Sequence, residues 1–203
     1  MTGDDRPSSV WGPPGASRDP EKGRRLDASF ELMRAVLDGT DLHGVLTLVA
    51  RHAQAMARVP LAFVALPDEN GVTLRVDVAV GADSDRILGL TVRRGRSMLG
   101  RAFSSHRALS ARIVADQTLS ALPAGPILIL PLETGEATRG VLAVLGRPGT
   151  QPFSPSAAHQ MFLFAGMSAR LVELAEERRA NAPPGRATDD APVVSAPPRP
   201  RRR

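Results

Sequence analysis

The sequence predicts an α+β domain in which a central antiparallel β-sheet of five or six strands carries the N- and C-terminal helices packed on one side. Two β-hairpin patterns, at residues 61–80 and 126–146, predict the antiparallel sheet, because a tight turn joins neighbouring strands of opposite direction. Helical periodicity precedes the first hairpin and follows the second, so helices are expected at both ends of the domain.

Two amphipathic helices are predicted before the sheet. The first has a narrow apolar stripe that ends at Gly39 and consists of Leu26, Phe30, Met33 and Leu37. Asp41 is a suitable N-cap for the second helix, and Pro60 ends that helix.

The pattern then changes from helix to strand. Residues 61–67 are typical of a buried strand, and the Asn70-Gly71 turn leads into the alternating residues 72–80, which complete the first hairpin. Between the two hairpins the pattern predicts a strand at 87–92, a short helix at 97–106, and a short strand with its loop at 107–116.

The last helix, which Ser154 can cap, carries two apolar faces. One face consists of Phe162, Ala165, Ala169 and Val172. The other consists of Phe164, Met167, Leu171 and Leu174. Because a sheet can bury only one face of a helix, the second face needs a partner, and the stripe on the first helix is the candidate.

We therefore predict a homodimer in which these helices from two chains form a four-helix bundle. The candidate dimer interface consists of Leu26, Phe30, Met33, Leu37, Phe164, Met167, Leu171 and Leu174. The alternative is that both stripes fold back within a single chain.

The chain contains no cysteine, which excludes disulfides, thiolate metal sites, cysteine nucleophiles and thioether attachment of a cofactor. It has no apolar run long enough to cross a bilayer, so no membrane span is predicted. The N-terminus has no basic start followed by an apolar core, so no secretory signal is expected and the predicted location is cytoplasmic.

Both ends of the chain are rich in residues that do not build a core. Residues 1–23 and the Pro/Arg-rich tail at 181–203 are predicted to be disordered, because they cannot bury enough apolar surface to offset their conformational entropy. One domain remains, at residues 24–180. The formal net charge is +5, and the final three arginines supply much of it. The domain itself is expected to be nearly balanced, so its charge points only weakly to nucleic acid.

An arginine-rich stretch at residues 92–109 has a spacing close to that of the phosphate-binding loop of nucleotide-binding proteins. Arg101 and Ala102, however, occupy the places where that loop needs a lysine and a serine or threonine. We therefore interpret Gly95 and Gly100 as turn and close-packing positions, and the arginines as a solvated face.

Three collinear segments, at residues 37–66, 90–116 and 129–175, resemble a GAF domain, a small ligand-sensing and dimerising module of bacterial signalling proteins. The last segment includes Pro131-Leu132 and Gly140-Val141-Leu142. The resemblance covers about residues 26–178 and implies a PAS-like antiparallel sheet.

Within that family, the chain looks most like the GAF domains of actinobacterial sensor histidine kinases, which include haem-binding sensors. Those sensors hold iron through a histidine in a loop before a late strand, and the matching residues 117–127 contain no histidine. Covalent bilin attachment and the family's methionine sulfoxide reductases need cysteine, and the signature of cyclic-nucleotide-binding members is absent. The resemblance therefore implies no haem, bilin or catalytic role, and no metal site is expected.

A pocket between the sheet and the segments 95–106 and 115–125 is the remaining candidate site, and it would suit a small, largely apolar ligand. The candidate lining residues are Phe63, Met98, Leu99, Phe103, Val114, Asp116 and Ile129. The alternative is that the apolar residues are ordinary core and that Asp116 is a loop or cap acceptor.

These observations predict a stand-alone sensory or regulatory domain of bacterial signal transduction. It would bind a small ligand or a partner protein, dimerise, and relay a change in helix packing to a separate histidine kinase or other effector. Two alternatives stay open. The domain could be a dimeric platform whose tail, with Arg199 and residues 201–203, docks nucleic acid or an acidic protein, or it could be a remnant of a sensor histidine kinase.

Overall fold

One antiparallel sheet of six strands organises the part of the chain that the structure describes. This computed structural model describes residues 20–113, 122–135 and 137–181. The strands are β1 (Leu61–Pro67), β2 (Thr73–Gly81), β3 (Thr91–Arg93), β4 (Leu109–Ile113), β5 (Gly125–Glu133) and β6 (Thr138–Leu145). Their order is β3-β2-β1-β6-β5-β4, and each neighbouring pair is antiparallel, which confirms the predicted fold class.

Helices cover both faces of this sheet. The helices are α1 (Pro20–Leu37), α2 (Leu42–Ala57), α3 (Ser84–Ile87), α4 (Met98–Ser105) and α5 (Pro155–Asn181). Helices α1, α2 and α5 share one apolar core on one side of the sheet, as predicted for the terminal helices. The short helices α3 and α4 contribute to a second core on the other side.

The alternation of side chains along each strand builds these two cores. On β1, Ala62 and Val64 belong to the core beneath α1, α2 and α5. Leu61, Phe63 and Ala65 belong to the core beneath α4. The same backbone therefore supports both cores, and a strand that shifts for one core shifts for the other.

Capping residues fix where the helices begin and end. The Asp41 carboxylate accepts a hydrogen bond from the Gly44 N–H at 2.9 Å, and the Ser154 hydroxyl accepts one from the Ala157 N–H at 3.2 Å. Gly39, with φ +85°, follows the last turn of α1. These caps pair N–H groups that the first turn of a helix leaves without a partner, and both confirm the predicted starts.

The strand predicted at residues 87–92 is wrong in extent, because the chain forms α3 and then a turn before the short strand β3. Ile87 is buried, and Gly89 has φ +79°, a left-handed conformation that glycine adopts without strain. The Gly89 N–H donates to the Val76 carbonyl at 2.8 Å, and the Val76 N–H donates to the Leu90 carbonyl at 2.9 Å. The apolar run therefore covers the core through a turn instead of extending the sheet.

The two faces of α5 also differ from the prediction. Phe164 and Leu171, expected to face a partner chain, are buried in the chain's own core, and Met167 is partly buried there. Phe162, expected to face the sheet, is 46% exposed. Helix α5 packs against α1 and α2 as well as against β5 and β6, so its buried surface is wider than one sheet-facing stripe.

Helix α1 buries a stripe that the sequence analysis did not single out. Ala28, Leu32 and Val36 are buried against the rest of the helical layer. The predicted stripe of Leu26, Phe30, Met33 and Leu37 is exposed. The first helix is therefore apolar on two sides, and the described part of the chain covers one of them.

Candidate functional site

Most of the predicted pocket residues lie together on the α4 side of the sheet. They are Phe63, Met98, Leu99, Phe103 and Ile129. All are buried except Met98, which is partly buried against the same cluster. Val114 and Asp116 lie outside the described residues. The structure thus brings five of the candidates into one apolar cluster, and ligand binding among them stays a prediction.

Gly100 lets α4 lie close to the turn that precedes it. A Cβ atom at Gly100 would overlap the backbone of Arg94, so a larger residue would push the helix away. The Ser97 hydroxyl caps the helix by accepting a hydrogen bond from the Gly100 N–H at 3.0 Å. The Arg94 guanidinium stacks 4.2 Å from the centre of the Phe103 ring. Gly100 is thus a close-packing position, whereas Gly95 has open space around it.

An open groove of about 680 Å³ runs beside α4. It is lined by Arg101, Ser104, Ser105, Arg107, Ala108 and Leu109. Guanidinium and hydroxyl groups are hydrogen-bond donors, and their geometry suits carboxylate or phosphate oxygens. This groove faces solvent, and its residue Leu109 also packs against the apolar cluster beneath α4.

A histidine ties the end of α4 to the β5–β6 hairpin. His106 follows α4 with φ 57°, and its Nδ1 atom lies 3.2 Å from Glu133 Oε1 and 2.9 Å from Thr138 Oγ1. Glu133 ends β5 and Thr138 begins β6, so both contacts are made at the same end of the hairpin. The sequence predicts that a short helix ends at residue 106, but no local pattern marks this contact.

The neighbouring hairpin residues, Thr134 and Arg139, contact helix α5 on the opposite side of the sheet. Arg139 contacts Glu173 at 2.5 Å and Glu176 at 3.2 Å, both on α5, and the Thr134 hydroxyl donates to Glu173 at 3.1 Å. The hydrogen bond between Arg139 and Glu173 lowers the pKa of Glu173 and raises that of Arg139. Burial raises the pKa of Glu176 despite the nearby guanidinium.

The hairpin end therefore contacts α4 on one side of the sheet and α5 on the other. No sequence pattern marks these contacts, because Arg139 and Glu173 stand 34 residues apart and are paired only by the fold.

Positive charge is concentrated on the α4 side. The chain passes from edge strand β3 to edge strand β4 through residues 94–108, which we call the arginine crossover. This segment contains Arg94, Arg96, Arg101 and Arg107 and no aspartate or glutamate. In the rest of residues 24–180, carboxylates exceed arginines by one. The near balance expected for the domain thus conceals one strongly basic segment.

Exposed apolar side chains are concentrated on the helical side. Of nine large exposed hydrophobic side chains among the described residues, seven belong to α1 and α5. We define the α1–α5 apolar face as Leu26, Phe30, Met33, Leu37, Leu163 and Leu174, flanked by the partly buried Met167.

The two helices run side by side in the same direction. Arg24 of α1 and Gln160 of α5 line one small cavity near the start of both helices, and Arg178 donates to the Val36 carbonyl near their ends. Leu174 and Arg178 stand one helical turn apart and share a face of α5. Since Arg178 reaches α1, that face borders α1, and the exposed residues of the two helices form one continuous surface.

The described residues hold neither a membrane-spanning helix nor a metal-binding group. No described helix combines the length and hydropathy that a membrane crossing requires. Likewise, no three histidine, aspartate or glutamate side chains among residues 20–113, 122–135 and 137–181 come together as a metal-binding group.

Comparison with known proteins agrees with this geometry. The model of the family described as "GAF domain" matches residues 41–173. The second GAF domain of DevS from Mycobacterium smegmatis is 25% identical, with a TM-score of 0.61 over 69% of this chain and 99% of that one.

More distant structures share the fold alone. The free methionine-R-sulfoxide reductase from Neisseria meningitidis is 16% identical, with a TM-score of 0.64 over 80% of this chain and 95% of that one. The GAF domain of a phosphoenolpyruvate-protein phosphotransferase from Coxiella burnetii is 14% identical, with a TM-score of 0.62 over 78% and 98% of the two chains.

Proposed function

Because the chain belongs to the GAF domain family, whose members are sensory and regulatory domains of signalling proteins, we propose that it is a dimeric regulatory domain. It dimerises through the α1–α5 apolar face and holds a small apolar ligand in the cluster beneath α4. Ligand binding changes the packing of the helices, and this change is relayed to a separate effector. In a two-component system that effector would be a histidine kinase, and the likeness to the GAF domain of DevS at 25% identity supports this choice.

The observation that carries the proposal is the continuous α1–α5 apolar face. Phe30 is 67% exposed and Leu37 is 63% exposed, and both stand on the stripe predicted to meet a partner. A clustered apolar surface of this kind is costly in water and marks an interaction site. A second copy of the chain offers the same apolar surface in return, which is the requirement of a two-fold symmetric interface.

The charges beside this face also suit self-association. Arg34 and Asp38 pair with each other on α1, while Arg170 and Glu177 are exposed on α5. The surfaces that two copies bring together therefore carry no large net charge of one sign. The interface we propose keeps the α1 residues and Leu174 of the sequence prediction, and Leu163 takes the place of the buried Phe164 and Leu171 of α5.

The β5–β6 hairpin end supplies a route between ligand and dimer. A ligand in the apolar cluster would displace α4, and His106 couples the end of α4 to Glu133 and Thr138. The adjacent Thr134 and Arg139 bind α5. A shift of the hairpin end would thus alter the position of α5 in the bundle, which is the change an effector would read.

Sedimentation velocity of the full chain tests the dimer. We expect the wild type to be dimeric at tens of micromolar, and Phe30→Glu combined with Leu174→Glu to be monomeric, because each dimer would bury unpaired carboxylates. The matched control is Val72→Glu combined with Leu88→Glu, which places the same charges on exposed apolar positions away from α1 and α5.

The control variant is expected to remain dimeric. A monomeric wild type at this concentration would refute the proposed dimer. Equal dissociation of both double variants would show that the interface lies elsewhere.

A further inference from the structure

We infer that the arginine crossover is a docking surface for an acidic, extended segment of a partner protein. The inference rests on the proposed regulatory function, since it names the chemistry of a protein partner of that domain, but it uses a different surface from the dimer. Its support is the path, charge and exposure of residues 94–108.

The crossover spans the full width of the sheet. Strands β3 and β4 are the two edges, with four strands between them, so the segment crosses about 24 Å at ~4.8 Å per strand spacing. An extended peptide of about seven residues covers the same distance at ~3.3 Å per residue. Arg96, Arg101 and Arg107 are exposed along this path. One extended segment can therefore contact several guanidinium groups at once.

The exposed arginines have no carboxylate partner among the described residues. None of the ion pairs in residues 20–113, 122–135 and 137–181 includes Arg96, Arg101 or Arg107. Their planar guanidinium groups present paired donors that match a carboxylate in a bidentate arrangement. Arg94, in contrast, donates to the Gly71 carbonyl at 2.6 Å and holds the crossover in place.

Exposed aliphatic side chains at the β3 end favour a protein segment over nucleic acid. Val72 is 61% exposed beside Arg94, whose N–H donates to the Val72 carbonyl, and Leu88 is 54% exposed in the connection to β3. These side chains match apolar residues of a peptide and have no counterpart in a phosphate backbone.

Single-stranded nucleic acid would need exposed aromatic rings on which its bases stack. The exposed phenylalanine side chains of the described residues are Phe30 and Phe162, and both belong to helices on the other side of the sheet. The open groove beside α4 instead has the size and the donors to receive carboxylate side chains.

Fluorescence anisotropy of the full chain with a labelled peptide of about eight residues, in which glutamate alternates with leucine, tests this surface. We expect salt-sensitive binding that weakens about tenfold or more in Arg96→Gln/Arg101→Gln/Arg107→Gln. The matched control, Arg51→Gln/Arg147→Gln/Arg179→Gln, removes the same charge from exposed positions on α2, on the β6–α5 connection and on α5, and is expected to change binding less than about twofold. Every variant retains residues 181–203, so the tail contributes equally to each measurement.

A labelled DNA duplex of similar length is measured in parallel. The inference is overturned if the peptide does not bind, if both triple variants lose binding equally, or if the duplex binds more tightly and depends on the same three arginines. If the peptide result fails while sedimentation still shows the dimer, the proposed function stands and only the acidic partner is rejected.

Discussion

The two sides of the sheet differ in the kind of contact they offer. The helical side exposes a continuous apolar surface, and its partly buried charges are paired, as Arg139 is with Glu173 and Glu176. The α4 side exposes few large apolar side chains, and the arginines of its crossover have no ion-pair partner among the described residues. One sheet thus separates a surface suited to a second copy from a surface suited to an acidic partner.

This difference has a physical basis in how each side is built. The long helices α1 and α5 carry apolar side chains on more than one face. The sheet can cover only part of this apolar surface, so the rest stays exposed. The crossover is short and is held by Gly100, Ser97 and Arg94 and by its buried apolar residues, so its exposed side chains need no core contact and can carry charge.

The largest expected effect is a difference in the free energy of unfolding between variants of a buried and an exposed apolar residue on α5. Phe164→Ala should lower the free energy of unfolding by about 3–5 kcal/mol, because it leaves a cavity in the helical core. Phe162→Ala, two positions away and 46% exposed, should cost less than about 1 kcal/mol. Urea denaturation measures both values. Similar losses would mean that the assignment of the two α5 faces is wrong.

The next effect tests how the crossover is held. Gly100→Ala should destabilise the protein by about 1–3 kcal/mol, because its Cβ would overlap the backbone of Arg94 and overpacking outweighs the gain in helix propensity. Gly95→Ala, at a position with open space, should be nearly neutral. Thermal unfolding of the two variants gives the comparison, and a neutral Gly100→Ala would refute the close packing of α4.

The smallest effect concerns the paired charges of the helical side. The pKa of Glu173 lies below its ordinary value of 4.5, so its stabilising contribution is present above that pH and is lost as the pH falls through the lowered pKa. Burial raises the pKa of Glu176, so its carboxylate form opposes folding, and the protein gains stability from it as the pH falls.

Glu173→Gln should therefore lower the melting temperature near neutral pH, with a difference that shrinks in acid, whereas Glu176→Gln should leave it unchanged or raise it. Differential scanning fluorimetry between neutral pH and a pH below 4.5 measures the melting temperatures of both variants. Since Glu173 also anchors the hairpin end, hydrogen exchange on α5 should increase in the first variant only. Equal behaviour of the two variants would contradict the assigned roles.

Much of the architecture could be predicted because it depends on neighbours in sequence. The Asn70-Gly71 turn identified the first hairpin, and Asp41 and Ser154 marked helix starts. Five apolar candidates for the pocket lie together in one cluster, while Val114 and Asp116 lie outside the described residues.

The errors arose where one pattern allowed several tertiary arrangements. The apolar residues of α5 cover so wide an arc that periodicity alone could not separate Phe162 from Phe164. The glycine that turns the chain at position 89 ended a run that otherwise read as a strand. The contact of His106 with Glu133 joins elements distant in the chain, and such pairs have no local signal.

The sequence by itself determined the α+β class, the hairpins, the capped helices and the exclusion of cysteine chemistry, because each depends on local propensity or on composition. Only the tertiary structure decided which face of each helix is buried, and that the hairpin end contacts both α4 and α5. It also decided that the arginines of residues 94–108 lie across one face of the sheet. These features depend on which elements are neighbours in space, and the strand order that places β3 and β4 at opposite edges is a property of the assembled sheet.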